Sequence, residues 1–331
     1  MSQDIPTAKT HVHAYLQALD QAGPGAETLA VCQTYLAPDH HYRGVLPIYE
    51  QQGPEALAHV VWSPLKTAMP MLQRRTDMWF SGYHDNRAGT GTWVVEMGNF
   101  IGDFTGDWLG IAATGRATYL PYVSLYRVAD GAIVETVELL DILSVLTQAG
   151  RNPYAAQQSG GHMMSPGPRT HDGVLTGASD PDQTQRTHAL TVAMLTELAE
   201  DYSSPADHLA RHWHPDMNWF GPTGIGASHG FAGYQRGHTG PFETKLDTVV
   251  IHDWELSVAE GHVSAVMWWP CLTMRNIGGY MGVPANDALA DMRVVDLYRR
   301  DGDKLAENWI FIDLLHFLKM QGVDLLTDCG D

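Results

Sequence analysis

Two aspartates close the most apolar segments of this 331-residue chain. Asp141 follows Val134-Glu135-Thr136-Val137-Glu138-Leu139-Leu140, and Asp313 follows Ala306-Glu307-Asn308-Trp309-Ile310-Phe311-Ile312. A carboxylate in an apolar cavity loses hydration, so its pKa rises. It can then take a proton from carbon beside a carbonyl, or return one to oxygen. The competing chemistry is architectural. An aspartate at a strand end caps a following helix by accepting backbone N–H bonds, and Leu-rich segments start directly after both residues. Strand alternation puts Glu307, Trp309, Phe311 and Asp313 on one face, with Glu135, Val137, Leu139 and Asp141 on the matching one. Glu135 and Glu307 lie beside a hairpin and read as ion-pair partners.

Other residues are candidates for binding. Trp219, Trp254, Trp268 and Trp269 offer an aromatic lining for a flat ligand, although core packing explains most buried tryptophans. Arg275, Asp291, Arg293 and Asp296 are charges in apolar strands. Asp291 and Arg293 share a face and are expected to pair; a clamp on a ligand carboxylate is the sharper alternative. His208 and His212 are four apart and share a helical face, but no third metal ligand is placed with them. The chain has no nucleophile elbow, phosphate-binding glycine loop or dinucleotide fingerprint. No metal and no cofactor are expected. Gly110 and Gly282 are expected to permit bends or bulges in the sheet.

The elements that carry these residues occur twice. Asp141 and Asp313 are 172 positions apart, as are Glu135 and Glu307, Tyr126 and Tyr298, Leu143 and Leu315, and Gly150 and Gly322. A repeat this long is a duplicated domain. The expected division is a first domain over 1–150, a Gly/Pro/Ser-rich linker over 151–181 and a second domain over 182–331, each domain large enough for its own core. The linker is expected to be flexible; lying across a pocket mouth is the alternative.

Each copy opens with helices, about 10–22 and 26–36 in the first and from Asp182 to near His212 in the second. Matched turns follow at Pro38-Asp39-His40-His41-Tyr42 and Pro215-Asp216-Met217-Asn218-Trp219, now 177 apart. Short helices come next, over 54–62 and 230–237. Strands are expected at about 74–83, 91–100, 117–128 and 132–142, and at about 247–258, 262–274, 290–300 and 304–314. Asp130-Gly131 and Asp301-Gly302-Asp303 mark the last hairpins. Helices first and an antiparallel sheet after is the α+β pattern.

A net charge of −18 makes nucleic acid and anionic membrane surfaces poor partners. Cys32, Cys271 and Cys329 are scattered and lack disulfide or metal spacing, which points to a reducing cytoplasm. The polar start Met1–Lys9 lacks a signal-peptide core, and no run of about 20 apolar residues predicts a membrane span.

The final pattern Glu-x-x-x-x-x-Asp-x-Leu followed by Gln and Gly resembles the SnoaL-like polyketide cyclase family of the nuclear-transport-factor-2-like superfamily. The second copy carries it as Glu307-x-Trp309-x-x-x-Asp313-Leu314-Leu315 with Gln321-Gly322; the first has Val137 at the Trp position and Gln148 one place early. The order of helices, Pro-Asp turn and four strands resembles the family in both copies. The resemblance implies two tandem cone-shaped α+β barrels, each a bent antiparallel sheet wrapped around N-terminal helices, with a deep apolar pocket. It places the Asp313 and Asp141 face on the pocket wall, with Asp313 the leading acid/base candidate and Asp141 the second. It puts Asn218 and His41 where a polar group can hold a ligand carbonyl, and favours the second copy as the working site. Superfamily members dimerise through their sheets, so the copies are expected to pack as an intrachain pseudo-dimer, with a homodimer also possible. Two functions stay open: a cofactor-independent cyclase, isomerase or hydrolase acting on a small apolar carbonyl compound, and a non-catalytic binder of a hydrophobic molecule or protein partner.

Overall fold

The computed structural model describes residues 5–84, 89–152, 164–200 and 204–327. Cys329 and linker residues 153–163 lie outside the described residues.

The first copy opens with α1 (Ile5–Gln21) and α2 (Ala26–Tyr35). Val12, Tyr15, Leu16 and Leu19 of α1 are buried, at the helical spacing read from the sequence. Then come β1 (Leu36–Gly44) and β2 (Glu50–Gln52). Next is a helical run from α3 (Gly53–Leu57) through a π-helical turn at Ala58–Trp62 into α4 (Ser63–Ala68). Four long strands follow: β3 (Gln73–His84), β4 (Gly91–Asp103), β5 (Ala117–Ala129) and β6 (Ala132–Leu140). The copy closes with α5 (Ile142–Gln148).

The second copy repeats this order. It has α6 (Pro181–Glu200), α7 (Ala206–His212), β7 (Trp213–Phe220) and β8 (Ala227–His229). The helical run comprises α8 (Gly230–Tyr234), a π-helical turn at Gln235–Thr239 and α9 (Gly240–Lys245). The strands are β9 (Leu246–Ile251), β10 (Leu256–Glu260), β11 (Val263–Asn276), β12 (Leu289–Asp301) and β13 (Lys304–Ile312), followed by α10 (Leu314–Met320).

The sheets run β2-β1-β6-β5-β4-β3 and β10-β11-β12-β13-β7-β8, with β9 also paired to β11. The α+β architecture and the late strands match expectation. Three features differ. The Pro-Asp segments expected as turns are strands β1 and β7, whose polar composition hides them. They pair in parallel with β6 and β13, so each sheet is mixed rather than wholly antiparallel. The single strand expected over 247–258 is split into β9 and β10. Gly110 sits in a loop and Gly282 ends the 3-10 turn Tyr280–Gly282, both with left-handed backbones (φ 80° and 82°), not in bent strands.

One face of each sheet packs on its own helices. On the first sheet this face carries Tyr122, Ser124 and Tyr126 of β5, and Tyr126 meets Tyr15 of α1 at 6.3 Å. The opposite face turns toward the other domain and the connecting segment. There Arg43 of β1 bonds both Glu135 and, across the domain boundary, Glu255. The described part of the connection is held down along its length. Its Gly173 and Val174 lie beside Trp79 of β3, with hydrogen bonds from Trp79 N to Gly173 O (2.9 Å) and from Leu175 N to Trp79 O (2.8 Å). Asp172 takes a two-pronged bond from Arg299, and Trp309 Nε1 donates to Pro166 O at 2.7 Å. Residues 164–180 are therefore a bound strap, not the flexible linker expected from Gly, Ser and Pro content.

Candidate functional site

A cavity of about 1240 Å³ opens beside α1 and β3 and ends on Arg74, Thr76 and Glu96 of the first domain. Strand β3 aims Arg74 and Thr76 toward Glu96 of β4. Arg74 Nη1 lies 2.9 Å from one Glu96 oxygen, and Thr76 donates to the other at 2.6 Å. The Arg74 and Glu96 side chains are 5% and 1% exposed. Burial opposes the Arg74 charge, but Glu96 and, further off, Asp20 more than restore it, so its pKa stands above the usual arginine value. Its guanidinium also lies over Trp62, Phe100 and Tyr122 at 4.8–5.6 Å, a favourable aromatic seat for a cation. Arg74 Nη2 is buried and has no acceptor.

Behind this pair the cone holds a second carboxylate. Glu138 of β6 accepts from Ser124 (2.7 Å) and Tyr42 (3.0 Å). Burial pushes its pKa up, although those two bonds and Arg74 act against the rise. Burial likewise lifts Tyr15, Tyr42, Tyr122 and Tyr126 well above the usual phenol range. Tyr122 faces Thr76 and Tyr126 faces Ser124, neither at hydrogen-bonding geometry. A buried Arg–Glu pair with a second glutamate and four phenols is an expensive interior for structure alone. It supplies a cation for a developing oxyanion and a carboxylate for proton transfer.

The second cone is different. Register places Val266 and Ile310 around Asp296 as Glu96 and Glu138 flank Ser124, so both glutamates are replaced by aliphatic side chains. Its interior is filled by rings. His238 stacks on Trp219 at 4.3 Å and meets Tyr234 and Phe242 at 5.3 and 4.8 Å. Burial lowers the His238 pKa to about 3. Asp296 is held by Tyr298 and Asn308, and burial raises it to about 7.

The residues singled out from sequence do not converge on one pocket. Asp313 caps α10 by accepting His316 N–H at 3.2 Å and also accepts Leu46 N–H from the other domain at 3.1 Å. Arg293 Nη1 lies 3.5 Å away. Burial raises Asp313 to about 6, with Arg293 opposing. Asp141 caps α5 through Ser144 N–H (3.2 Å) and takes Thr223 N–H from the second domain at 2.9 Å. Neither residue lines the cavity. The face they share, expected as pocket wall, is the one turned to the strap and the other domain. Trp309 lies there, stacked on Phe220 at 5.7 Å. Register pairs Trp309 with Leu297 rather than with the cone-facing Asp296 and Tyr298, and this places it on the outer face.

The other expected residues are dispersed. His41 bonds Glu50 and Asn218 bonds His229, each reaching from β1 or β7 to the short edge strand beside it. Trp219 is inside the second cone, and Trp268 is buried edge-on to Trp254 at 6.4 Å. Trp269 lies under Arg43 and Arg293 at 5.7 and 4.8 Å. Arg293 reaches Asp313 and not Asp291, which instead takes the Thr273 hydroxyl at 2.6 Å. His208 and His212 both face Glu197, at 3.4 and 2.6 Å. Of the expected set, Trp254 alone lines the large cavity. Sequence reading missed Arg74, Glu96 and Glu138. For the two glutamates the available signal was a charge inside an otherwise apolar strand, as in Trp93-Val94-Val95-Glu96-Met97; Arg74 sits in the polar run Gln73-Arg74-Arg75-Thr76-Asp77 and carries no such signal.

Among the described residues, no helix is long and apolar enough to cross a membrane. A search of the curated proteins finds no match. Among solved structures, a SnoaL-like protein from Jannaschia sp. CCS1 is 22% identical, over 46% of this chain and 100% of its own, with a TM-score of 0.36. TsrD from Streptomyces laurentii is 19% identical over 45% and 98%, with a TM-score of 0.36. An NTF2-like protein from Burkholderia xenovorans LB400 is 14% identical over 41% and 96%, with a TM-score of 0.34. The family model described as SnoaL-like polyketide cyclase matches residues 12–149, the whole of the first cone. The match lies within the first domain, less than half of the chain, and the second half repeats that domain's order of elements.

Proposed function

We propose that this protein is a cofactor-independent acid/base enzyme of the cyclase or isomerase type, acting on a small apolar carbonyl compound in its first cone. One observation carries the reading: the large cavity ends on a buried Arg74–Glu96 pair whose guanidinium has an unfilled donor. A ligand carbonyl oxygen would supply the missing acceptor. Glu96 then takes a proton from the carbon beside that carbonyl, and Arg74 holds the oxygen as it becomes negative. The enolate either regains a proton at carbon, which is isomerisation, or attacks a second carbonyl. In the second case Glu96 returns its proton to the new alkoxide, completing ring closure.

The acid/base role goes to Glu96 and not to Asp313, because Glu96 lines the cavity and Asp313, a helix cap bonded across the domain boundary, does not. The two cones pack as a pseudo-dimer in which the second supports the first.

The test is deuterium exchange into 1-tetralone, a flat ketone, followed by NMR in D2O. Exchange should accelerate with the protein, fall to background in Glu96→Gln and persist in Asp313→Asn. Background exchange with the unaltered protein would end the reading. A second reading, a non-catalytic holder of a hydrophobic molecule, is favoured by the bonds that already fix both Glu96 oxygens. It predicts tetralone binding without exchange.

A further inference from the structure

The cavity that ends on Arg74 and Glu96 does not belong to one domain. Its inner end is built from α1, β3 and β4. Its outer wall comprises strap residues Val174 and 176–179, the start of α6, Trp254 and strand β10. We propose that Trp254 and His188 of the second domain set ligand specificity for the first-domain site, selecting neutral, flat, multi-ring ketones by their length. The proposal rests on the ligand-site reading given above.

Three observations support it. First, the junction between the halves is fixed. Lys9 of α1 pairs with Glu260 of β10 at 2.6 Å, with both side chains under a tenth exposed. The same carboxylate accepts Ser81 N–H at 2.6 Å and the Ser179 hydroxyl at 3.2 Å. A Cβ added at Gly82 would meet Val258 Cβ at 2.8 Å, so β3 and β10 approach closely only because residue 82 is glycine. A wall held this way keeps a constant distance from Arg74.

Second, the chemistry of the wall is specific. Trp254 is half-buried and steadied edge-on by Trp268. That leaves a broad apolar surface with little conformational freedom to lose on binding. His188 is half-buried and bonded through Nε2 to Ser257 at 2.9 Å, offering a polar contact near it. Lys9 is matched by Glu260, and Arg74 by Glu96 and Asp20, so among the described residues both the lysine and the arginine of the lining are compensated. An uncharged ligand fits, with its carbonyl at Arg74 and its far ring at Trp254.

Third, among the described residues the second cone carries no counterpart of the Glu96 and Glu138 carboxylates. Aliphatic residues replace its glutamates, and aromatic rings fill its centre. Its surface residues are the part of this copy that reaches a large cavity.

The experiment compares dissociation constants for acetophenone, with one ring, and 2-acetylanthracene, with three. The unaltered protein should prefer the three-ring ketone. In Trp254→Ala the ratio of the two constants should fall about tenfold, the size expected for losing one ring contact. Trp254→Phe should restore most of it, and His188→Leu should lower the ratio in the same direction. An unchanged ratio in Trp254→Ala, or equal weakening of both ketones, overturns the proposal. So does a lack of three-ring binding by the unaltered protein. Glu96→Gln separates the two claims: retained deuterium exchange there sinks the assigned chemistry and leaves the ratio measurement standing.

Discussion

The Asp313 carboxylate and the Leu46 N–H meet at 3.1 Å across the boundary between the two domains. The contact is made a second time by symmetry. Asp141 is 172 positions before Asp313, Thr223 is 177 positions after Leu46, and Asp141 accepts the Thr223 N–H at 2.9 Å. Each aspartate also caps the helix that follows it. Asp313→Ala should therefore remove a cap and strand a buried amide, costing about 2–4 kcal/mol in denaturant unfolding. A loss below about 0.5 kcal/mol would contradict this double role.

The contribution of Asp296 and Asp313 to stability should fall as pH rises from about 4 to about 7, against an opposite contribution from His40, His238 and His316, whose pKa values burial lowers. Folded Asp296 titrates at about 7 and Asp313 at about 6, both raised by burial. An unfolded aspartate titrates at about 3.9. Between these values the two aspartates bind more protons in the folded protein than in the unfolded chain, so at these sites raising the pH favours unfolding. The contribution is complete below about pH 4 and gone above about pH 7. Asp296→Asn removes a term that falls with pH, so it should shift the slope of chemical stability against pH in the positive direction in that window; an unaltered slope would refute the assignment.

The Arg74–Glu96 pair should cost the fold more when half removed than when wholly removed. Glu96→Ala leaves the guanidinium among aromatic rings with only the part-exposed Asp20 to balance it, a loss of about 3 kcal/mol, the lower end for a broken buried pair. The double variant Arg74→Met/Glu96→Leu keeps volume without charge and should be close to neutral or stabilising. It should also fail to bind 1-tetralone productively, with no deuterium exchange. Equal unfolding midpoints for the single and double variants would argue against the buried-charge account.

The strap should behave as part of the folded body. Trp79 and Leu175 donate backbone bonds within it, and Asp172 holds Arg299. Burial alone would raise the Asp172 carboxyl, but the Arg299 fork keeps it well below the usual carboxylate range. Hydrogen exchange should show the Trp79 and Leu175 amides protected to a similar degree as the central strands. Exchange at free-peptide rates would mean that the strap detaches.

The constant spacing of Tyr126/Tyr298 and Asp141/Asp313 made the duplication and the late strands legible, because apolar strands with hairpin turns survive divergence as pattern. Facing was not legible. Period-two alternation sorts Trp309 from Ile310, yet both faces of β13 are buried, one by helices and one by the strap and partner domain. Composition cannot tell those two kinds of burial apart. The same ambiguity concealed Glu96 and Glu138, since their strands lack the polar face that would have marked them as pointing into a pocket. Strand β1 was hidden for the opposite reason: Pro38-Asp39-His40-His41 reads as turn chemistry, and its pairing with β6 and β2 makes it a strand.

The loss of Glu96 and Glu138 counterparts at Val266 and Ile310 has a consequence for how this molecule can change. In an assembly of two identical subunits, every inherited substitution appears twice and must suit both positions. Here the halves are encoded separately, so a substitution at Trp254 alters one wall and has no twin. The cavity's inner end and its outer wall can therefore vary independently, and a new ligand preference can arise in one half while Arg74 and Glu96 stay untouched in the other.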